Sequence, residues 1–469
     1  MSKAQPNMAF YPLDDQFNSS AFNPAFLNSR EKFTFSIFPI GGSNIGYNNQ
    51  EVVRGLVLET LHGITSDDDY KKVLESITDR SSFNQHIEII LLTLTLRSRL
   101  GFFNFRIQEN QNLSAALEGE LTHFLFSTNI QSVRINQIQN LPAQAMHYRE
   151  YSLGYTLPSR NQKFTAGIRP KIYFGKSAFF SGLSGSIQND AKGYKLNAGG
   201  KVNLSIPMTQ NLVNGDSITT LDFSGKNIIR YLLNSGNPGF GLDLGFKYRI
   251  TPDLTVSMSL LNLGKIEWKT NLNSKVFDGE YLIPSQKVTS NITREIITKN
   301  VRYALSDSIS NIFEQSIDMN EFSSSMPVTI YAGIKHQVSP KINISLIDRF
   351  VYLKNLNYNS LSLMFDFNLN EELSISTGYS VISESYANLP VAFLYKKDFG
   401  QIYVGTDNLL SFIIPSISDF AGITFGTCFY LFKNSSSSKS ISDDYPFYQP
   451  KKPIRNQKTG RIWNESADF

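Results

Sequence analysis

Phe240-Gly241-Leu242-Asp243-Leu244-Gly245-Phe246-Lys247-Tyr248-Arg249-Ile250 is followed by Thr251-Pro252-Asp253 and then by a second alternating run, Leu254–Leu261. Phe240, Leu242, Leu244, Phe246, Tyr248 and Ile250 fall on one face of a strand. Gly241, Asp243, Gly245, Lys247 and Arg249 fall on the other, because successive side chains point to opposite sides. Five more pairs of runs repeat the design. Ser339-Pro340-Lys341 joins Val328–Val338 to Ile342–Leu353, and Asn368–Glu372 joins Leu361–Phe367 to Leu373–Val381. Lys396–Gly400 joins Val391–Tyr395 to Gln401–Gly405, and Pro158–Asn161 and Asn189–Lys192 serve upstream runs. In Ser360–Phe367, Leu361, Leu363, Phe365 and Phe367 oppose Ser360, Ser362, Met364 and Asp366. The runs Phe164–Phe174, interrupted by Pro170, and Tyr194–Ile206, ended by Pro207, alternate too. The opposite ends are joined by longer, less regular connectors. Tight turns on one side and long loops on the other are how a transmembrane β-barrel is threaded. The clearest runs span roughly 8–13 residues, near the length a tilted strand needs to cross a bilayer. Strands of a soluble sandwich are shorter, at roughly 5–6 residues.

Composition agrees. Phe and Tyr number 35 and 22 among 469 residues. Tyr148, Tyr151, Tyr173, Phe174, Tyr352, Tyr358, Phe432 and Trp268 sit near expected strand ends, as aromatic girdles require. No apolar run reaches the length of a transmembrane helix, and Ile89–Leu96, interrupted by Thr93 and Thr95, reads as a strand. The single cysteine, Cys428, excludes an internal disulfide and a cysteine-built metal site. A formal charge of +4 gives no argument for nucleic acid. Five scattered histidines show no metal-ligand spacing, and Gly41-Gly42 and Gly199-Gly200 are isolated pairs, not phosphate loops. There is no Gly-x-Ser-x-Gly elbow. His336 and Asp348 could approach across the Ser339 turn, but such a lone pair reads as a solvated contact in the lumen. The expectation is a protein that is not an enzyme and carries no cofactor or metal.

The chain divides into a polar, proline-broken lead-in or plug (1–30), a barrel of about 14–16 strands (31–432) and a tail (433–469). No charged n-region and apolar h-region stand at the start, but Ser2-Lys3-Ala4 before Gln5 places small residues where a signal peptidase reads. The expectation is a chain that starts just before its mature end at Gln5, with the apolar part of a signal peptide missing. Phe33–Ile37 is the first strand. Helical stretches are expected at Gln50–Leu61, Asp67–Ile77 and Ser114–Phe126, either as a small core beside the barrel or over its mouth. The connector Thr270–Ser325, with a helical stripe at Leu305, Ile309, Ile312 and Phe313, is either a cap over the mouth or a disordered loop. Ala421–Phe432 closes the barrel on aromatics. Beyond it, a Ser-rich linker leads to a polar tail with Lys451, Lys452, Arg455, Lys458 and Arg461 near Trp463, too poor in apolar residues to fold alone. An even strand count puts that tail in the periplasm.

Three stretches carry a family resemblance. Asn23-Pro24-Ala25-Phe26-Leu27 resembles the lead-in of FadL-type fatty-acid transporters and of related Bacteroidetes barrels linked to type IX secretion. Leu260–Trp268, with Gly264 and Trp268 at its marked positions, is similar to a strand of the Bacteroidetes group. Val404–Leu410, containing Asp407 and Asn408, resembles a strand end in an uncharacterised family of that group. Each has a plainer reading: Pro24 as a turn in the chain, Gly264 as a bulge, Asp407 and Asn408 as loop-shaping residues. The resemblance implies a bacterial outer-membrane barrel surrounded by lipid that passes a hydrophobic or small solute. Its alternative is an accessory barrel docking a secretion, adhesion or motility partner through loops or the periplasmic tail. It transfers no ligand-contacting residues.

Overall fold

The computed structural model describes residues 8–14, 16–26, 31–49, 80–118, 135–159, 161, 163–190, 193–213, 216–221, 225–284, 314–353, 356–382, 385–414 and 418–431. The first strands are β1 (Phe33–Ile37), β2 (Ser43–Asn49), β3 (Arg80–Ser98), β4 (Gly101–Glu118), β5 (Ile135–Pro158), β6 (Phe164–Asp190) and β7 (Gly193–Ser205). A separate two-stranded sheet, β8 (Met208–Val213) with β9 (Asp216–Leu221), and helix α1 (Gly225–Leu232) precede β10 (Asn237–Arg249). Then come β11 (Leu254–Trp268), β12 (Ser274–Pro284), β13 (Glu314–Asp318), β14 (Phe322–Ser325), β15 (Val328–Ser339), β16 (Ile342–Leu353) and β17 (Leu356–Asn368). The chain continues through β18 (Leu373–Ile382), β19 (Ser385–Asn388), β20 (Val391–Lys397), β21 (Gly400–Thr406), the short helix α2 (Leu410–Ile413) and β22 (Phe420–Leu431).

These strands form a closed antiparallel barrel of fourteen staves. Three staves are broken in two: β1 with β2, β14 with β15, and β19 with β20. The ring closes where β22 pairs with β1 through Phe33↔Leu431 and with β2 through Ser43↔Phe425. Closure leaves no unpaired edge, which is the condition for β-structure in lipid. The turns after β3, β5, β10, β15, β17 and β20 all lie at one rim, with the start of β1 and the end of β22. We call this the turn rim. The hairpin around 189–192 does not belong there. It joins β6 to β7 at the other end of β6, on the loop rim.

β6 explains the shape of the loop rim. Its first half, Phe164–Gly175, pairs with β10 in the wall, while Ala178–Asp190 pairs with β7. β7 in turn pairs with β12, and β12 with β13. Pro170 does not interrupt the strand; it pairs with Leu242. Within the connector Thr270–Ser325, three stretches are strand, β12, β13 and β14, and residues 285–313 lie outside the described residues. Its helical stripe lies outside the described residues, as do the stretches at Gln50–Leu61 and Asp67–Ile77 and the tail. Ser114–Glu118, expected to start a helix, is the end of β4, laddered to β3; two neighbouring strands outcompete a weak helical period.

The two faces follow the alternation. Leu361 and Leu363 are exposed while Ser360, Ser362, Met364 and Asp366 are buried. Leu244 and Phe246 face outward and Asp243 inward, with no exposed surface. The girdle expectation fails at Tyr148, Tyr173, Tyr358 and Trp268, all buried inside. At Trp268 the cause is a bulge: Leu242 pairs with Leu263 but Leu244 with Leu260, and Asn262 sits at φ 62°. The extra residue turns the rest of β11 over, so Lys265 and Glu267 face out and Ile266 and Trp268 face in. His336 and Asp348 are not lumenal and do not meet. Both lie on the outward phase, His336 opposite Ile344 and Asp348 opposite Ala332.

Candidate functional site

The lumen holds the N-terminal segment. Residues 8–14 and 16–26 lie inside the ring, with short 3-10 turns at Ser19–Ala21 and Pro24–Phe26. Phe10, Tyr11, Phe22 and Phe26 are buried there against Leu261, Tyr331, Ile347 and Tyr403. Tyr11 stacks on Tyr331 at 5.1 Å between ring centroids, and Phe10 meets Tyr403 edge-on at 5.6 Å. Aromatic pairs of this kind add roughly 0.5–1.5 kcal/mol each beyond simple burial.

Polar bonds fix the segment at both ends. Asp407 Oδ1 accepts the Ala9 N–H at 2.9 Å, and Gln401 Oε1 accepts the Phe17 N–H at 2.7 Å. Ser259 Oγ donates to Phe22 O and Thr156 Oγ1 to Pro24 O, each at 2.6 Å. Asn23 Nδ2 donates to the carbonyls of Phe246 and Met258, both at 3.2 Å, so its side chain bridges β10 and β11. The wall makes room for this turn with two glycines. A Cβ on Gly167 would strike the Pro24 and Ala25 backbone, and one on Gly245 would strike Asn23 Oδ1. At the turn rim, Asp14 pairs with Lys335 at 3.0 Å and Lys247 at 3.1 Å, and Lys335 also donates to Pro12 O at 2.7 Å. Partial burial raises the Asp14 carboxyl, but Lys335 and Lys247 outweigh it and hold it well below the usual carboxylate range.

Beside the segment lies a cavity of about 140 Å³. Its walls come from the N-terminal segment itself and from inward phases of the surrounding strands, and they mix amide and charged side chains with apolar and aromatic ones such as Phe22, Leu261 and Tyr358. Arg169 Nη2 lies 2.6 Å from Asp243 Oδ2, and Lys171 Nζ lies 2.9 Å from the same oxygen and 3.4 Å from Glu150. The bulge feeds this cluster, since the Asn262 N–H donates to Asp243 Oδ1 at 2.6 Å and its Oδ1 accepts from Lys171 at 2.7 Å. Arg349 donates to Tyr331 Oη at 3.1 Å and its guanidinium lies over the Tyr331 and Tyr358 rings at 5.7 and 5.8 Å. Toward the loop rim, a second apolar cluster of Met146, Tyr148, Tyr173, Ile266, Trp268 and Met326 lines the wall.

The residues singled out from sequence separate into three places. Asn23, Pro24, Ala25 and Asp407 contact or form the N-terminal segment. Gly264 and Trp268 belong to the upper wall: Gly264 O accepts the Met326 N–H at 2.9 Å, and Trp268 donates to Ser324 Oγ at 2.9 Å. Asn408, fully buried, ties the strand ends together by donating to Phe420 O at 3.0 Å and accepting the Leu389 N–H at 3.2 Å. Sequence reading did not single out Arg106, Arg169, Lys171 or Arg349. Their signal was present, since each sits on the polar phase of an alternating strand.

Comparison with known proteins gives three findings. A model described as "Family of unknown function (DUF5723)" matches residues 24–407. No curated protein matches. Solved structures are similar at low identity. The Ralstonia pickettii toluene transporter TbuX shares 11% identity over 89% of this chain and 93% of its own, with a TM-score of 0.42. The P. putida toluene transporter TodX shares 9% over 89% and 95%, with a TM-score of 0.43. A Pseudomonas aeruginosa FadL homologue shares 9% over 91% and 99%, with a TM-score of 0.42.

Proposed function

The chain belongs to the family of unknown function DUF5723, and from its geometry we propose a transport barrel of the bacterial outer membrane that passes a small solute through a lumen gated by its own N-terminal segment. One observation carries the reading. The lumen contains a segment held by a few discrete hydrogen bonds and ion pairs, and next to it a cavity of mixed polar and apolar lining large enough for a solute. A purely structural barrel has no need of both. The apolar outer face and closed ladder suit lipid, with the turn rim in the periplasm and the loop rim outside. The segment then acts as a plug anchored by Asn23 and Asp407, and solute passes when it shifts.

Planar-bilayer conductance tests the reading. Deleting residues 8–22 should raise conductance while the barrel keeps its heat-resistant mobility on electrophoresis. Asn23→Ala combined with Asp14→Asn should do the same more mildly without removing the segment's apolar core. Unchanged conductance in both variants rejects gating and favours an accessory barrel that docks a partner.

A further inference from the structure

Arg106 sits on the inward phase of β4, 1% exposed, and lines the lumenal cavity. Its Nε and Nη2 have no hydrogen-bond partner. The other cavity cations are engaged: Lys171 and one face of Arg169 by Asp243, and Arg349 by Tyr331. The nearest strand's carboxylate, Glu88 on β3, faces His86 at 3.8 Å. Glu88 and Glu150 act on the Arg106 guanidinium through space, but Nε and Nη2 stay unbonded. Buried donors left unbonded are costly, and the usual resolutions are a bound anion or bound solvent. Two further donors point the same way. Asn110 Nδ2 and Arg169 Nη1 are also buried without partners and also line this cavity or its charge cluster.

We propose that the cavity binds a small polar anion, a carboxylate- or phosphate-bearing solute, with Arg106 as its principal contact and Arg169 and Asn110 as supporting donors. This rests on the transport reading and names the substrate class for the same lumen. The planar guanidinium suits both oxyanions, because its fork of N–H donors matches two adjacent oxygens. Size agrees as well. A volume of about 140 Å³ is close to the roughly 150 Å³ that accommodates benzene in an engineered cavity. A long acyl chain does not fit this volume, whereas a compact anion does.

Isothermal titration of the full chain in detergent, with benzoate, inorganic phosphate and the neutral benzyl alcohol as probes, decides the point. At least one anion should bind near 1:1 and at least tenfold more tightly than benzyl alcohol. Benzoate winning over phosphate assigns a carboxylate solute, and the reverse a phosphate. Arg106→Gln should weaken that binding at least tenfold, Arg106→Lys should retain part of it, and Arg149→Gln, on the outward phase, should leave it unchanged. Equal binding of the neutral probe, no binding of either anion, or full affinity in Arg106→Gln overturns the site. The wild-type comparison of probes stands even if Arg106→Gln fails to fold. Conductance separates the two ideas. A gated channel without anion binding sinks this inference alone, and anion binding without gated conductance sinks the transport reading alone.

Discussion

Asp243 and Leu244 are consecutive residues facing different media, and the cost of replacing each differs accordingly. Leu244 points into the apolar belt, so Leu244→Arg should destabilise by about 2–4 kcal/mol near the midplane. From alternation alone Asp243 is simply a polar residue on the inner face, and Asp243→Ala would be expected to cost little. The structure reverses that expectation. Asp243 is fully buried and answers Arg169, Lys171 and the Asn262 N–H. Removing one member of a buried ion cluster typically costs about 3–5 kcal/mol because the remaining charges stay buried. Refolding into lipid vesicles with urea titration should find both variants clearly destabilised; a neutral Asp243→Ala would mean the cluster is solvated. Asp348 presents the opposite case. It stands on the outward phase between Leu346 and Phe350, opposite Leu361, and its Oδ1 has no partner. Asp348→Leu should raise stability, on the order of 1–2 kcal/mol, since carboxylates on the lipid face cost less than Arg or Lys but still cost. A lower unfolding midpoint for this variant would place another group against Asp348.

Among the elements, the N-terminal segment shows how far sequence can reach. Its polar, proline-broken character marks it as something other than a strand, and Asn23-Pro24 marks where it turns. What holds it is spread over partners hundreds of residues away: Gln401 and Asp407 on one side, Ser259 and Thr156 on the other. Alternation says that Arg169 and Asp243 share the inner face, but only the register Asp243↔Arg169 between β6 and β10 makes them partners. One bulge likewise decides Trp268, and a single extra residue is invisible to a period of two. The segment's ionic anchor also gives a pH dependence. Asp14 is held below the usual carboxylate range, so its contribution is complete above the unfolded value near pH ~3.9 and is lost as pH falls further. Wild-type conductance should therefore rise as pH falls below about 4. Asp14→Asn should show the raised conductance already at neutral pH and lose that part of the response. A pH profile identical in the two proteins would remove Asp14 from the gate.

At the scale of the whole molecule, the tight turns in the sequence show which neighbouring strands are joined at one rim and come near the strand number, while the broken staves and the strands hidden in Thr270–Ser325 escape it. Those segments are strands because β7 and β11 offer them unpaired edges, a tertiary cause that no local pattern records. Closure has a similar logic and a sharp consequence. β22 satisfies three neighbours at once: Phe429–Leu431 pair with β1, Phe420–Phe425 with β2, and Thr424–Phe429 with β21. The ladder that seals the ring is thus complete at Leu431. A chain truncated after Phe432 should insert into membranes and keep heat-resistant mobility on electrophoresis, because no ladder bond of the ring is removed. A chain truncated after Phe425 should not, because it loses the pairing to β1 and most of that to β21, leaving two open edges in lipid, where each unsatisfied backbone group costs several kcal/mol. If the longer truncation product also failed to insert, the tail would be part of closure and the ring described by β22, β1 and β2 would be insufficient to seal the barrel.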